Sequence, residues 1–327
     1  MATQGVTFNP TTDIPSLEGK VILITGANSG LGKQSALELA KHNPAQLWMA
    51  ARSPEKGNEA VADVKRQVPG AAATFLELDL SSFASIKRAA KTVIAASPRL
   101  DILMLNAGLM GCPPRLTEDG YEIQMGTNHV GHALLLKLLT PLLQQTTTAA
   151  AAGGAARVVI LSSSAWKYAG PEKIQFDTLK RLDAGVTPVN RYVQSKTANM
   201  LYAREFAARH NGGGGSGGGD NNSGSPGRLV VVSVDPGEVD TQLFRREPGD
   251  EQMAYLQREV APKRVGPVEE GVKNQLWAAT APEGAVVSGE HYEPVGRRPE
   301  PTGLYLDHEL ARELWEWTAK ELEGHEI

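Results

Sequence analysis

Short apolar segments of seven to ten residues alternate along this chain with longer segments of helical period. Residues 20–26, KVILITG, are apolar and β-branched and end in a glycine turn, which predicts a strand. Residues 30–42 then place Leu31, Ala36, Leu39 and Ala40 near helical spacing. The alternation continues with strands predicted at 45–52, 73–80, 100–108, 157–164 and 228–237, and a short one near 286–294. Helices are predicted at 54–68 with a proline near the start, at 81–96 behind serines able to cap it, and at roughly 118–145. Others carry Tyr192, span 267–280, and close the chain as an amphipathic segment at 310–323 with Trp315 and Trp317.

Strands separated by helices imply parallel pairing with right-handed crossovers. Strands that are apolar throughout suit a sheet covered on both faces. The predicted fold is therefore α/β: one Rossmann-type doubly wound domain with a mainly parallel sheet of about seven strands. We divide the chain into an N-terminal extension (1–16), the domain itself (17–295) and a C-terminal helical tail (296–327). Two low-complexity tracts, 146–156 and 211–227, fall after a helix and before a strand. They are expected to be flexible loops on the face opposite the ligand, because ligands bind at the carboxyl ends of such strands. Residues 242–265 mix charged and apolar positions and are expected to form a mobile substrate lid.

Composition narrows the function. The chain has 327 residues with a formal net charge of −4 and no basic cluster, which argues against nucleic acid. Its single cysteine, Cys112, rules out an intrachain disulfide and suits a reducing compartment. No apolar run serves as a signal peptide or reaches the length of a membrane span, so the expected location is cytoplasmic. His129 and His132 stand three apart on a predicted helix, but no acidic or cysteine partner accompanies them, so no metal is expected.

The chemistry begins at LITGANSGLGK, where Gly26, Gly30 and Gly32 lie between the first strand and the first helix. Glycines there let the backbone turn tightly and approach a pyrophosphate, which the N–H groups of the following helix then favour. Ser29, Leu31 and Lys33 share this loop and helix start, and Lys33 adds positive charge. The second strand ends in Arg52 rather than an acidic residue, which suits a 2′-phosphate and selects NADP over NAD. Far along the chain, RYVQSK places Tyr192 and Lys196 four apart, on one helical face.

The glycine spacing, T-G-x-x-x-G-x-G, is similar to that of the short-chain dehydrogenase/reductase superfamily. TGANSGLGK, NAG-M, TNHVGH and SGEHYEPVG resemble its retinol dehydrogenase and protochlorophyllide reductase-like branch. The resemblance covers residues 17–295 and implies site roles residue by residue. Asp79 corresponds to the contact with the adenine amino group, and it could equally cap the next helix. Asn106, Ala107 and Gly108 form the turn beside the cofactor. Asn128 kinks the long helix and holds a water of a proton relay. Ser163 polarises the substrate oxygen, with Ser162 the alternative register. Pro236, Gly237, Val239 and Thr241 form the turn beside the nicotinamide.

Tyr192 is then the proton donor and acceptor, and Lys196 holds the nicotinamide ribose and lowers the tyrosine pKa. The resemblance implies an NADP(H)-dependent oxidoreductase, a carbonyl reductase or alcohol dehydrogenase. Its partner is a small apolar aldehyde, ketone or alcohol, with a use in secondary metabolism as hypothesis. A catalytically silent NADP-binding sensor or scaffold is the alternative, and reduction of a C=C bond a third reading. Met110 and Cys112 are placed near the pocket or in ordinary packing, and the terminal helix docks on the domain or on a second copy in a homo-oligomer.

Overall fold

A computed structural model describes residues 3–149, 155–170, 173–182, 185–210, 228–245, 247–301 and 303–327. Seven strands form one sheet: β1 (Val21–Thr25), β2 (Gln46–Ala51), β3 (Ala73–Glu77), β4 (Ile102–Leu105), β5 (Ala156–Leu161), β6 (Leu229–Val234) and β7 (His291–Tyr292). Every pairing is parallel and the order is β3-β2-β1-β4-β5-β6-β7. The order reverses between β1 and β4, and that switch opens a crevice at the carboxyl ends of the strands.

Successive side chains of each strand leave on opposite faces, and both faces are filled. Leu23, Leu103, Val158 and Val231 join one core, packed by α4 (Phe83–Ala96), α6 (Gly131–Ala149), α7 (Pro188–His210) and α11 (His308–Glu321). Ile22, Ile24, Met104, Val159 and Val232 join the other, under α2 (Gly30–Ala40), α3 (Pro54–Gln67) and α10 (Val268–Thr280). The N-terminal segment carries the short α1 (Pro10–Asp13) and buries Phe8 and Ile14 in that second core.

The structure corrects three boundaries. The helix expected from residue 118 starts as α5 (Ile123–Met125), where the Glu122 carboxylate accepts from the backbone N–H groups of Gln124 and Met125. It passes through a π-turn (Gly126–Val130) into α6, which runs on to Ala149. Residues 146–149, expected in a flexible loop, are thus helical. Thr146 Oγ1 donates to Leu142 O at 2.8 Å and accepts from Leu100 N at 2.8 Å, so this threonine is a buried tether. Ala155 and Ala156, from the other end of the same tract, lead into and begin β5. Residues 150–154 and the whole 211–227 tract lie outside the described residues.

Residues of the expected lid fold as a 3₁₀ turn (Gln242–Arg245), α8 (Glu251–Tyr255), a π-turn (Leu256–Val260) and α9 (Ala261–Arg264). Gly249 N donates to Gly111 O at 2.7 Å, and Met253 packs on Gly111, where a Cβ would meet its sulfur at 2.3 Å. The lid therefore rests on the segment after β4. The terminal α11 docks on its own domain: Trp315 stacks on Tyr202 with centroids 5.2 Å apart, and Tyr121 Oη donates to Glu321 Oε2 at 2.7 Å. Among the described residues no helix is long and apolar enough to cross a membrane.

Candidate active site

The crevice at the switch point is a cleft of about 520 Å³. Its floor is the turn between β1 and α2. Gly26 turns the chain with φ +66°, and a Cβ there would meet Ala107 Cα at 2.9 Å. Gly32 is packed from behind, since a Cβ would meet Gly26 O at 2.4 Å and Asn106 Nδ2 at 2.5 Å. Asn106 Nδ2 donates to Thr25 O at 2.8 Å, which locks this turn to the one after β4. Ser29 is the N-cap residue of α2, and its side chain caps no backbone N–H. The first-turn amides of α2 thus open toward the cleft, a seat for an anion.

Of the residues predicted to bind cofactor, the cleft wall contains Gly26, Ser29, Gly30, Leu31, Arg52, Asp79, Asn106, Ala107, Gly108, Tyr192, Lys196, Pro236 and Thr241. Four others stand behind it. Gly32 supports the floor. Gly237 has φ +81° and donates its N–H to Asp235 Oδ1 at 2.9 Å, which shapes the turn that presents Pro236. Val239 is buried against Gly271 of α10. Lys33 is a correction: its ammonium pairs with Asp63 of α3, so its charge is neutralised away from the cleft.

Sequence reasoning missed Lys56. It lines the cleft with Arg52 and Ser53, and both cations are exposed with no ion-pair partner among the described residues. A lysine in the first turn of a helix opposes the helix dipole, and that was the available signal. Asp79 is not a helix cap. Its Oδ1 accepts from Ser81 N at 2.9 Å and Ser81 Oγ at 2.6 Å, while Ser82 caps α4.

At the other end of the cleft, Tyr192 and Lys196 project from one face of α7, 8% and 4% exposed. Lys196 Nζ lies 5.7 Å from the Tyr192 ring centroid and donates to Leu161 O at 2.9 Å. The Ser163 hydroxyl lies beside the Tyr192 phenol and acts on it in the lowering direction. Of the two serines Ser162 lines the cleft wall, and its hydroxyl donates to Lys196 O at 2.7 Å and so ties β5 to α7, while Ser163 Oγ accepts from Ala165 N at 3.2 Å. Ser163 is the serine that acts on the Tyr192 phenol.

Asn128 sits fully buried in the middle of the π-turn. Its Oδ1 accepts from Leu109 N at 2.7 Å, and its Nδ2 donates to Leu109 O and Ser195 Oγ, both at 2.9 Å. The asparagine therefore clamps the segment after β4 to α7. The π-turn changes the hydrogen-bond register of the helix around this residue.

Burial decides the protonation states. It pushes the Tyr192 phenol well above its ordinary range; the Ser163 hydroxyl opposes this and the Asp235 charge adds to it. Lys196 does not achieve in the chain alone the lowering expected of it. Its own ammonium is brought down to about 8 by burial, with Asp235 pulling the other way. The free site thus holds a protonated phenol beside a lysine that shares its proton near neutrality.

A family model described as short chain dehydrogenase matches residues 20–181. The chain is 35% identical over 319 residues to the short-chain dehydrogenase/reductase drtF of Aspergillus calidoustus, covering 96% of this chain and 97% of that one. It is 33% identical to retinol dehydrogenase 13 of Homo sapiens, covering 93% and 85%. An uncharacterized protein from Mycobacterium paratuberculosis superposes with a TM-score of 0.68 at 28% identity, covering 97% of each chain. A short chain dehydrogenase of Shigella flexneri solved with NADP shares the fold, with a TM-score of 0.60 at 20% identity over 85% of this chain and 98% of that one. Fold, crevice and relatives together define an oxidoreductase of the Rossmann type. The chain belongs to the short-chain dehydrogenase/reductase family, on its retinol dehydrogenase-like branch.

Proposed function

We propose that the protein is an NADP(H)-dependent carbonyl reductase or alcohol dehydrogenase acting on an apolar aldehyde, ketone or alcohol. The observation that carries this reading is the buried Tyr192–Lys196 pair on one face of α7, with the half-buried Ser163 beside the phenol. The residues present fit a dinucleotide: Gly26 and Gly32 leave no room for a Cβ against the neighbouring turn, and the amides of α2 open into the cleft. Arg52 and Lys56 supply two cations where a 2′-phosphate would lie, which supports NADP(H). Asp79 bounds the adenine end, and Thr241 and Pro236 bound the nicotinamide end.

NADPH, when bound, supplies the hydride. The chain supplies the proton and the orientation. Tyr192, kept protonated by burial, donates its phenolic proton to the substrate oxygen, and Ser163 donates a hydrogen bond to that same oxygen. In the oxidative direction the phenolate takes the proton back. Lys196 stands to accept and return protons, and Asn128 orders the segment between them. Leu109, Ile123, Leu161 and Leu243 give the inner cleft an apolar lining, which supports a lipophilic carbonyl, including that of a secondary metabolite.

The test is loss of reduced nicotinamide with a panel of apolar aldehydes, ketones and quinones, offered with NADPH and with NADH. Turnover that prefers NADPH supports the reading. NADPH binding with no turnover of any member would favour a silent sensor, and a saturated product from an unsaturated ketone would redirect it to C=C reduction.

A further inference from the structure

His129 and His132 face away from each other across the π-turn. His129 Nε2 lies 3.0 Å from Thr318 Oγ1 on α11. His132, 2% exposed, points inward between β1 and the long helix. Its Nε2 is 2.9 Å from Thr25 Oγ1 and its Nδ1 is 3.0 Å from the Asn128 carbonyl oxygen.

The donors in this chain are fixed by their neighbours. A carbonyl only accepts, so the ring proton is on Nδ1. Thr25 Oγ1 already accepts from Asn106 N at 2.9 Å and Ala107 N at 3.0 Å, so its own proton is directed at Nε2. One ring proton and one ring acceptor are what a neutral imidazole offers. Burial holds His132 neutral, down to about 3, against the Asn128 hydrogen bond; the Lys196 and His129 charges act in the same direction as burial.

From Asn128 the chain continues. Its Nδ2 donates to Ser195 Oγ, and Ser195 Oγ donates to Tyr192 O at 2.8 Å. A buried path of hydrogen bonds therefore runs from the residue before Gly26 to the backbone of the proton donor. We infer that His132 is a positioning residue for the reaction, joining the Thr25 hydroxyl to the Asn128 carbonyl and so setting the π-turn, and with it Tyr192, against the cofactor turn. This deepens the proposed function and rests on it. A displacement of ~1 Å at a reacting group costs on the order of a hundredfold in rate, so loss of this tie should be visible in turnover.

Two variants separate positioning from bulk structure. His132→Leu removes both hydrogen bonds at similar volume. His132→Asn keeps a donor near the Nδ1 position for the Asn128 carbonyl. The expected result for His132→Leu is a folded protein with NADPH affinity within about threefold of the parent and kcat lowered about tenfold or more, as a displaced Tyr192 would give. The solvent isotope effect on kcat rises, because the proton step becomes limiting. His132→Asn recovers most of the lost kcat. Parent-like kcat and isotope effect in His132→Leu, or no recovery in His132→Asn, overturns the inference. If His132→Leu does not fold, or if the parent turns over no carbonyl, the histidine ring ¹⁵N spectrum of the parent with and without NADP⁺ decides it. A neutral Nδ1–H tautomer that does not titrate between about pH 5 and 8 upholds the tie, and an Nε2–H tautomer or a titrating ring refutes it. Failure of the proposed function shows as absent turnover, whereas failure of this inference shows in the ring.

Discussion

Gly32→Ala is the most sharply determined perturbation of the cofactor seat. The added Cβ would stand 2.4 Å from Gly26 O, where ordinary contact begins at 3.4 Å, a shortfall of about 1.0 Å. It would also stand 2.5 Å from Asn106 Nδ2, which is held by Thr25 O at 2.8 Å, so neither neighbour is a free side-chain end. Two effects compete. Alanine is the better helix former by about 1 kcal/mol, and Gly32 lies within α2. Overpacking against fixed atoms costs roughly 1–3 kcal/mol. A 1.0 Å deficit against backbone places this site in the upper part of that range, so the clash wins. Relief requires the start of α2 to move away from Gly26, which displaces the amides that face the pyrophosphate. The expected outcome is a lower Tm and NADPH affinity reduced by about ten- to a hundredfold, read by calorimetric titration and thermal melting. Gly70→Ala is the control: with φ +87° and nothing within 4 Å, it costs backbone strain and leaves NADPH affinity unchanged. Parent affinity together with a raised Tm in Gly32→Ala would show that propensity prevails and refute the packing argument.

Other outcomes follow from the same geometry. Arg52→Ala and Lys56→Ala should each weaken NADPH by about tenfold or more and leave NADH nearly unchanged, as charge-assisted bonds to phosphate contribute about 1.5–3 kcal/mol. Both groups are exposed, so added salt should narrow the difference. Lys196→Met should abolish turnover yet stabilise the fold below pH 8 by up to roughly 3 kcal/mol. The sign follows from burial: the lysine is lowered from 10.5 to about 8, so between those values the unfolded chain binds more protons and parent stability rises with pH. Urea unfolding of both proteins across that window reads it, and a parent stability that falls there contradicts it. Leu314→Ala, fully buried on α11, should cost about 2–5 kcal/mol in the same unfolding, because the terminal helix belongs to the core.

The sheet was legible because parallel strands buried on both faces read as nearly continuous apolar runs, such as Val21–Thr25 and Leu229–Val234. The glycine loop was legible because close backbone approach admits no other residue at Gly26 or Gly32. Tyr192 and Lys196 share a face by helical period alone. What periodicity cannot show is a change of hydrogen-bond register, and the π-turn around Asn128 is such a change. Nor does it show direction: Lys33 and Lys56 both follow a helix start, yet one pairs with Asp63 and the other faces the cleft. Thr146 and Thr147 read as part of a polar tract because composition does not reveal that their hydroxyls bond back to the helix carbonyls. The partner of His132 is Thr25, 107 positions earlier, a contact that only the fold creates.

The central claim is that Tyr192 passes the proton to a carbonyl reduced with NADPH. Its most direct test is Tyr192→Phe, with NADPH affinity and steady-state turnover measured on one substrate that the parent accepts. The account predicts affinity close to the parent and turnover lower by a factor of about 10² to 10⁴, the range for removal of a positioned acid–base group. Turnover at the parental rate in a variant that still binds NADPH would contradict it.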